Sequence, residues 1–481
     1  MNKAVIRKNV DEKLNVKPIY VHLVHRAPYM GPCRFGKGEQ LEREYDEMMA
    51  AENFARMKEK LEELYGDDDS VEIMEPVYMP QLDEFICREE ELDLVRKDAF
   101  EADLFLLDGL MGQHLAVNVA KRFCKPMCSI GCCTSTDVTA CLRAAGYEAY
   151  GCIDLESSRP VVRAMRARKG IGKTRVLSVL KGDVISKGVE SNIRDFDMLT
   201  NKWGITFKFI NSDDFLNEIG MLTDEEVDEA GRIADELIAG ASVNYMDKEY
   251  VFRSAKVYVT AKKLLALYDC NAFTIPCFEI CATKRLNAEK YTFCLTHSLL
   301  KEEGIPSACE SDYNALLSMI VMMNLTDTAP HMGNLHPALA HEIPESMEDK
   351  SNLIKIYHAV PTRKMHGRKE EPTPYGIQAF TAGGWGATLR HDFGADVGKK
   401  VTLVRFNPQG TQIMAAKGTI AEGIGYDVVG CDNGFLARVN DVERFFEAQC
   451  NYGHHFVWVY GDVTAELKKL GELVGFTAEI I

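Results

Sequence analysis

Short apolar runs, spaced by helix-length stretches, constrain this chain more than any other feature. Residues 18–24 (PIYVHLV), 71–79 (VEIMEPVYM), 102–107 (ADLFLL) and 125–130 read as strands. Helical patterns stand between them at about 39–65, 82–97 and 114–123. Strands joined by whole helices do not pair as hairpins; the crossovers bring them together in parallel, with helices over both faces. The pattern restarts after a basic, glycine-containing joint at 169–175 (KGIGKTR), with strands at 176–180, 206–210 and 272–275 and helices at about 224–239 and 247–267. After about residue 345, Pro, Gly and Thr become frequent. The strands are short there (353–358, 401–406, 411–416, 456–460), and helices almost vanish until 464–473. The fold class expected is α/β: two doubly wound parallel-sheet domains in series, 1–165 and 166–345, followed by a C-terminal β-barrel-like domain, 346–481.

A length of 481 residues agrees with three domains at roughly 150 residues each. Seventy-two acidic against fifty-six basic side chains give a net charge of −16, which argues against nucleic acid or an anionic membrane as partner. No apolar run approaches the ~18 residues of a membrane span, and MNKAVIRKNVDEKLNV lacks the apolar core of a signal peptide. A cytoplasmic location is expected, where the 15 cysteines read as reduced thiols.

Several motifs fail on inspection. KGIGKT has Ala167 where a phosphate loop needs its first glycine, and GGWGAT (383–388) lacks the third glycine of a dinucleotide fingerprint. Cys124, Cys128, Cys132 and Cys133 are interrupted by Pro126 and Gly131 and match no ligand spacing. Cys277 and Cys281 are read in the same way, as free thiols.

The strongest local signal is EGIPSACESDYNALLSMIVMMNLTDTAPHMGNLHP (303–337). Residues 304–308 read as the last strand of the second sheet and 313–323 as a helix. Glu310 and Asp312 stand between, where parallel sheets place ligand sites. Ser311 or Asp312 capping the helix, with Glu310 favouring its positive end, explains the same residues without function. Asn334, His358 and the pair His454-His455 add an amide and imidazoles, a donor set suited to Mn²⁺. Neighbouring strand residues point to opposite faces, so only one of the paired histidines can reach a common centre.

ACESDYNALLSM, the following MGN, RHDFGADVGKKVTLVRF with AAKGTIAEG, and GHHFVWVYGD resemble the L-fucose isomerase and L-arabinose isomerase superfamily over most of the chain. The likeness is nearer to fucose-isomerase-like proteins. It implies an aldose–ketose isomerase, an intramolecular oxidoreductase using Mn²⁺ or another divalent ion and a metal-bound enediol. By the resemblance, Glu310 binds the metal and serves as acid/base, and His358 and His455 are further ligands. Asn334 falls where L-fucose isomerases carry a second catalytic carboxylate. Arg26, in LVHRAPY, resembles a substrate-contacting arginine supplied across a subunit interface, with His114 and His454 as further substrate-side candidates. Family members form trimers or hexamers. An amide can coordinate through its oxygen but cannot take a proton as a carboxylate does, so either Asp312 or Asp327 supplies the second acid/base or the chemistry has changed. The sugar expected is a plain, deoxy or sulfonated one, with Arg26, Arg363, Lys364 and Arg368 available for an anionic group. A metal-dependent lyase acting on a sugar acid and a non-catalytic sugar-binding protein are the alternatives on the same scaffold.

Overall fold

The computed structural model describes residues 5–31, 36–82, 85–131, 133–183 and 186–481; Cys132 lies outside them. The chain forms two compact units, Glu12–Lys169 and Gly170–Ile481, the second taking in the N-terminal residues up to Asp11.

In the unit Glu12–Lys169, six strands form one parallel sheet: β1 (Leu14–Val24), β2 (Val71–Ile73), β3 (Val77–Leu82), β4 (Leu104–Leu110), β5 (Met127–Ile130) and β6 (Ala149–Cys152). The order is β2-β1-β4-β5-β6, with β3 also on β1. Both β2 and β3 lie on one side of β1 and β4 on the other, so the winding direction reverses between β1 and β4. Central β1 is buried along almost its whole length. Its Lys17 is accommodated because the ammonium meets Asp98 at 2.6 Å. The stretch 82–97 divides: Leu82 closes β3, and the helix is Glu89–Arg96, started by Glu91 accepting from the Arg88 amide. Two helices, Cys133–Ala144 and Arg159–Gly172, were not legible as such. The second runs through KGIG, so the expected joint is helix end rather than loop.

In the other unit, β7 (Arg175–Leu180), β8 (Thr206–Asn211), β10 (Ala272–Ile275) and β11 (Ser307–Cys309) make a second parallel sheet, ordered β11-β10-β7-β8. The short β9 (Val243–Asn244) pairs elsewhere. Next come β12 (His331–Pro337), β13 (Leu353–Tyr357), β14 (Gly376–Ala379), β15 (Ala387–Arg390), β16 (Lys400–Phe406), β17 (Gln412–Ile424), β18 (Gly434–Arg438), β19 (His455–Tyr460) and β20 (Thr477–Ile480). Six of these close an antiparallel barrel in the order β16-β19-β12-β13-β18-β17, with β17 returning to β16. Strand β20 adds to β17 in parallel, and β9, β14 and β15 form a small separate sheet. Closure removes the exposed edges that short strands would otherwise leave. The barrel is filled by aromatic rings, with Phe435 and Trp458 4.8 Å apart at the centre.

One helix, Tyr313–Thr326, joins sheet to barrel. It packs against β11 on one side and β16 and β19 on the other, which is why its sequence is apolar all round rather than striped. Its few polar groups are fasteners: Asn314 Nδ2 donates to the Phe406 carbonyl at 3.0 Å, and Ser318 Oγ accepts from the Phe406 amide at 3.0 Å. Among the described residues, no helix is long and apolar enough to cross a membrane.

Candidate metal centre

The turn from β11 into the helix Tyr313–Thr326 carries Glu310. Glu310 and Ser311 both have left-handed backbones, with φ of 61° and 48°. Two successive non-glycine residues there are strained, at about 1–3 kcal/mol each. The surroundings hold them in place. Asn192 donates to the Ser311 carbonyl at 2.7 Å and accepts from the Tyr313 amide at 2.8 Å. Asp312 then caps the helix by accepting from the Ala315 amide at 2.9 Å. Strained backbone is a reason to look at what the turn presents.

It presents a carboxylate to two histidines. Glu310 Oε1 lies 3.5 Å from His358 Nε2, and Oε2 lies 3.8 Å from His455 Nε2. His358 follows the end of β13, and His455 begins β19. Both imidazoles are buried; among the described residues, neither ring nitrogen of His358, nor Nε2 of His455, has a hydrogen-bond partner. One donor atom from each of Glu310, His358 and His455 falls within 4.8 Å of the others. The two Nε2 atoms beside the carboxylate, each costly to bury unsatisfied, are what a divalent cation would satisfy. Register adds an amide: Asn334 on β12 is the cross-strand partner of His455, so the two side chains share one face of the barrel.

The protonation states suit this use. Burial alone would raise the Glu310 carboxyl, but the His455 and His358 imidazoles bring it down to about 2. Burial pushes His358 below its ordinary value, keeping its lone pair available at neutral pH. His455 is oriented from behind: Nδ1 meets Asp312 Oδ2 at 3.0 Å, which turns the Nε2 lone pair toward Glu310. The same Asp312 oxygen accepts from Arg405 Nη1 at 2.8 Å, and Asp312 and Arg405 are wholly buried. Burial opposes the Asp312 charge, but Arg405 and His455 prevail and hold it well below the usual carboxylate range.

The structure thus brings Glu310, His358 and His455 together and sets Asn334 opposite His455, with Asp312 behind His455 rather than beside them. Asp327 is engaged by Arg368 at 2.6 Å. His454 is half-buried and turned to a cleft lined also by Gly188, Glu190 and Phe446. Gly188 borders the centre as well, since a Cβ there would stand 3.5 Å from Glu310 Oε2. Burial first, then the neighbouring His455 and Arg405, push His454 down to about 4. Arg26 and His114 belong to the other unit. Arg26 is exposed just beyond β1 and His114 opens the helix after β4, so both follow the carboxyl ends of the two strands flanking the reversal in winding. Of the remaining cations, Arg363 pairs with Glu302 at 2.5 Å, Arg368 with Asp11 at 2.9 Å and with Asp327, and Lys364 donates to the Arg368 carbonyl at 3.0 Å. Sequence reasoning missed Arg405. Its only signal was a charge inside an otherwise apolar strand, KKVTLVRF.

No family model matches the chain. It is 22% identical over 324 residues to a sulfoquinovose isomerase of Priestia aryabhattai, a match covering 66% of this chain and 67% of the relative. The sulfoquinovose isomerase of Priestia megaterium matches to the same extent. That of Alkalicoccus urumqiensis is 26% identical over 235 residues, covering 47% of this chain and 48% of its own. These isomerases are members of the fucose/arabinose isomerase-like superfamily, so they bear out the resemblance carried by the ACESDYNALLSM and GHHFVWVYGD segments.

Proposed function

We propose that this chain is a metal-dependent aldose–ketose isomerase whose sugar carries a sulfonate, as the names of its relatives say of theirs. The observation that carries the reading is the buried Glu310–His358–His455 cluster, in which the Nε2 atoms of both histidines face the carboxylate and have no hydrogen-bond partner among the described residues. A divalent cation held by those three residues, with the Asn334 amide oxygen beside them, would supply a Lewis acid for the sugar carbonyl and the adjacent hydroxyl.

The remaining work falls to the chain's own groups. Glu310 is ionised at neutral pH and is the base that removes the proton from C2 of the open-chain aldose, leaving a cis-enediolate in which the O2 hydroxyl proton passes to the O1 oxyanion. The same carboxyl returns the proton to C1, so the carbon-to-carbon transfer needs no second carboxylate, and Asn334 is tolerated where an acid was expected. Asp312 has no part in the transfer: its oxygens are taken by Arg405, His455 and the helix cap. Arg363 and Arg368 are neutralised by their own carboxylates. We assign the sulfonate to Arg26 on the family resemblance of LVHRAPY and its place just beyond the carboxyl end of β1, with the arginine supplied by a neighbouring subunit of a homo-oligomer.

Incubation with sulfoquinovose and Mn²⁺ in D₂O, followed by NMR, tests the reading. The expected product is the 2-ketose, with deuterium incorporated next to the carbonyl, and 6-deoxyglucose turns over more slowly. Glu310→Gln keeps the fold by circular dichroism and loses turnover. Shorter carbon fragments would show a lyase instead, and full turnover by Glu310→Gln would remove that residue from the mechanism.

A further inference from the structure

On the other side of Glu310 lies a second set of donors. Strands β10 and β11 are adjacent and parallel, with Ile275 opposite Cys309, so their carboxyl ends lie together. Pro276 turns the chain after β10 and makes Cys277 the first residue of a short helix, Cys277–Cys281. The Cys277 and Cys309 sulfurs come to 3.5 Å of one another. A carboxylate oxygen of Glu310 and the two sulfurs all fall within 4.8 Å of one another.

We propose that Cys277, Cys309 and Glu310 form a second metal site, for a thiophilic divalent cation of the Zn²⁺ or Cd²⁺ kind, which competes with the histidine centre for the Glu310 carboxylate. Two thiolates on tetrahedral zinc, each at about 2.3 Å, stand roughly 3.8 Å apart, so the observed spacing needs almost no movement. Cys309 is buried and Cys277 only partly so. The two thiol protons leave to solvent as the cation binds. Sulfur donors select against Mn²⁺, so each centre has its own metal preference. The two centres share one carboxylate: both Glu310 oxygens already face a histidine, and a cation at the thiolates must take one of them. The pair Cys128 and Cys152 shows that near sulfurs alone do not make such a site. They are also 3.5 Å apart, yet among the described residues no His, Asp, Glu or further Cys joins them in a ligand cluster. The thiolate site stands whichever reaction the histidine centre performs; only the competition rests on that centre being a metal site.

The test uses the full chain, reduced and stripped of metal, titrated with Cd²⁺. A sulfur-to-cadmium charge-transfer band in the ultraviolet, saturating at one equivalent, is expected. It persists in His358→Asn and disappears in both Cys277→Ser and Cys277→Ala, chosen because Cys277 is not part of the buried core. Zn²⁺, but not Mn²⁺, slows alkylation of Cys277 at least tenfold, read by peptide mass spectrometry. Zn²⁺ also displaces bound Mn²⁺ at a lower concentration from the native chain than from Cys277→Ser, where only direct exchange at the histidines remains, read by electron paramagnetic resonance. A band that survives both Cys277 substitutions, or none in the unmodified chain, overturns the site. Mn²⁺ retention at saturating Zn²⁺, or displacement at the same concentration from both chains, overturns the competition. Failure of the isomerase reading would leave the band unchanged, so the two outcomes are distinguishable.

Discussion

Replacing Asp312 by Asn tests how the centre is held without touching a residue that faces substrate. The substitution is nearly isosteric, and an Asn can still accept from the Ala315 amide, so the helix cap survives. The other terminal atom changes from acceptor to donor. In the native protein that oxygen receives Arg405 Nη1 at 2.8 Å and His455 Nδ1 at 3.0 Å. An amide N–H there faces the guanidinium and pushes His455 into the other tautomer, with its proton on Nε2 and its lone pair turned away from Glu310. Arg405 is 0% exposed and loses the Asp312 carboxylate, which costs about 3–5 kcal/mol of stability. The flipped tautomer costs about ten- to a hundredfold in metal affinity, or ~1.4–2.7 kcal/mol. Urea unfolding reads the first number; Mn²⁺ titration by electron paramagnetic resonance, under conditions where the variant is folded, reads the second. A variant that binds Mn²⁺ as tightly as the native chain would refute the tautomer argument, even if its stability fell as expected.

Other consequences follow from burial. Phe435→Ala removes a ring packed 4.8 Å from Trp458 in the barrel centre and should cost about 3–5 kcal/mol, measured by urea denaturation, with loss of the near-ultraviolet tryptophan signal. His297 is fully buried, and burial with the neighbouring Lys301 lowers it to about 3. The unfolded chain takes up this proton below about pH 6.5 and the folded chain does not. Stability therefore falls as pH drops from 6.5 toward 3, by up to ~1.4 kcal/mol per pH unit from this residue. His297→Gln should flatten that slope, and an unchanged slope between pH 6.5 and 5 would show that His297 is not what sets it.

Much of the layered architecture was legible because burial on both faces writes continuous apolar runs into parallel strands. β1, β4, β7 and β10 all show it. The strand-to-helix turn at Glu310 was legible for a similar reason: SAC ends in buried strand and Asp312 is a good helix cap. What escaped was written in weaker codes. Cys133–Ala144 opens with CTSTD, whose polar residues hide the helical period, and β14 and β15 are four-residue strands in a glycine-rich stretch. Arg405 and Asp312 are charged residues whose burial is tolerable only because each neutralises the other, 93 positions apart in the chain.

By itself the sequence determined the local order: which stretches are strands, where helices begin, and that a carboxylate, an amide and two histidines with metal-ligand chemistry occur in segments resembling sugar isomerases. Tertiary structure decided what those groups do to one another. Asn334 reaches His455 only through the register of β12 on β19, and Asp312 stands behind His455 because Arg405 on β16 draws its charge there. Cys277 meets Cys309, 32 positions away, and not Cys281 in its own helix, because β10 and β11 are neighbours. Spacing along a chain sets which residues share one face of a helix or strand. Distance between elements depends on how sheets and barrels pair, and no local pattern carries that information.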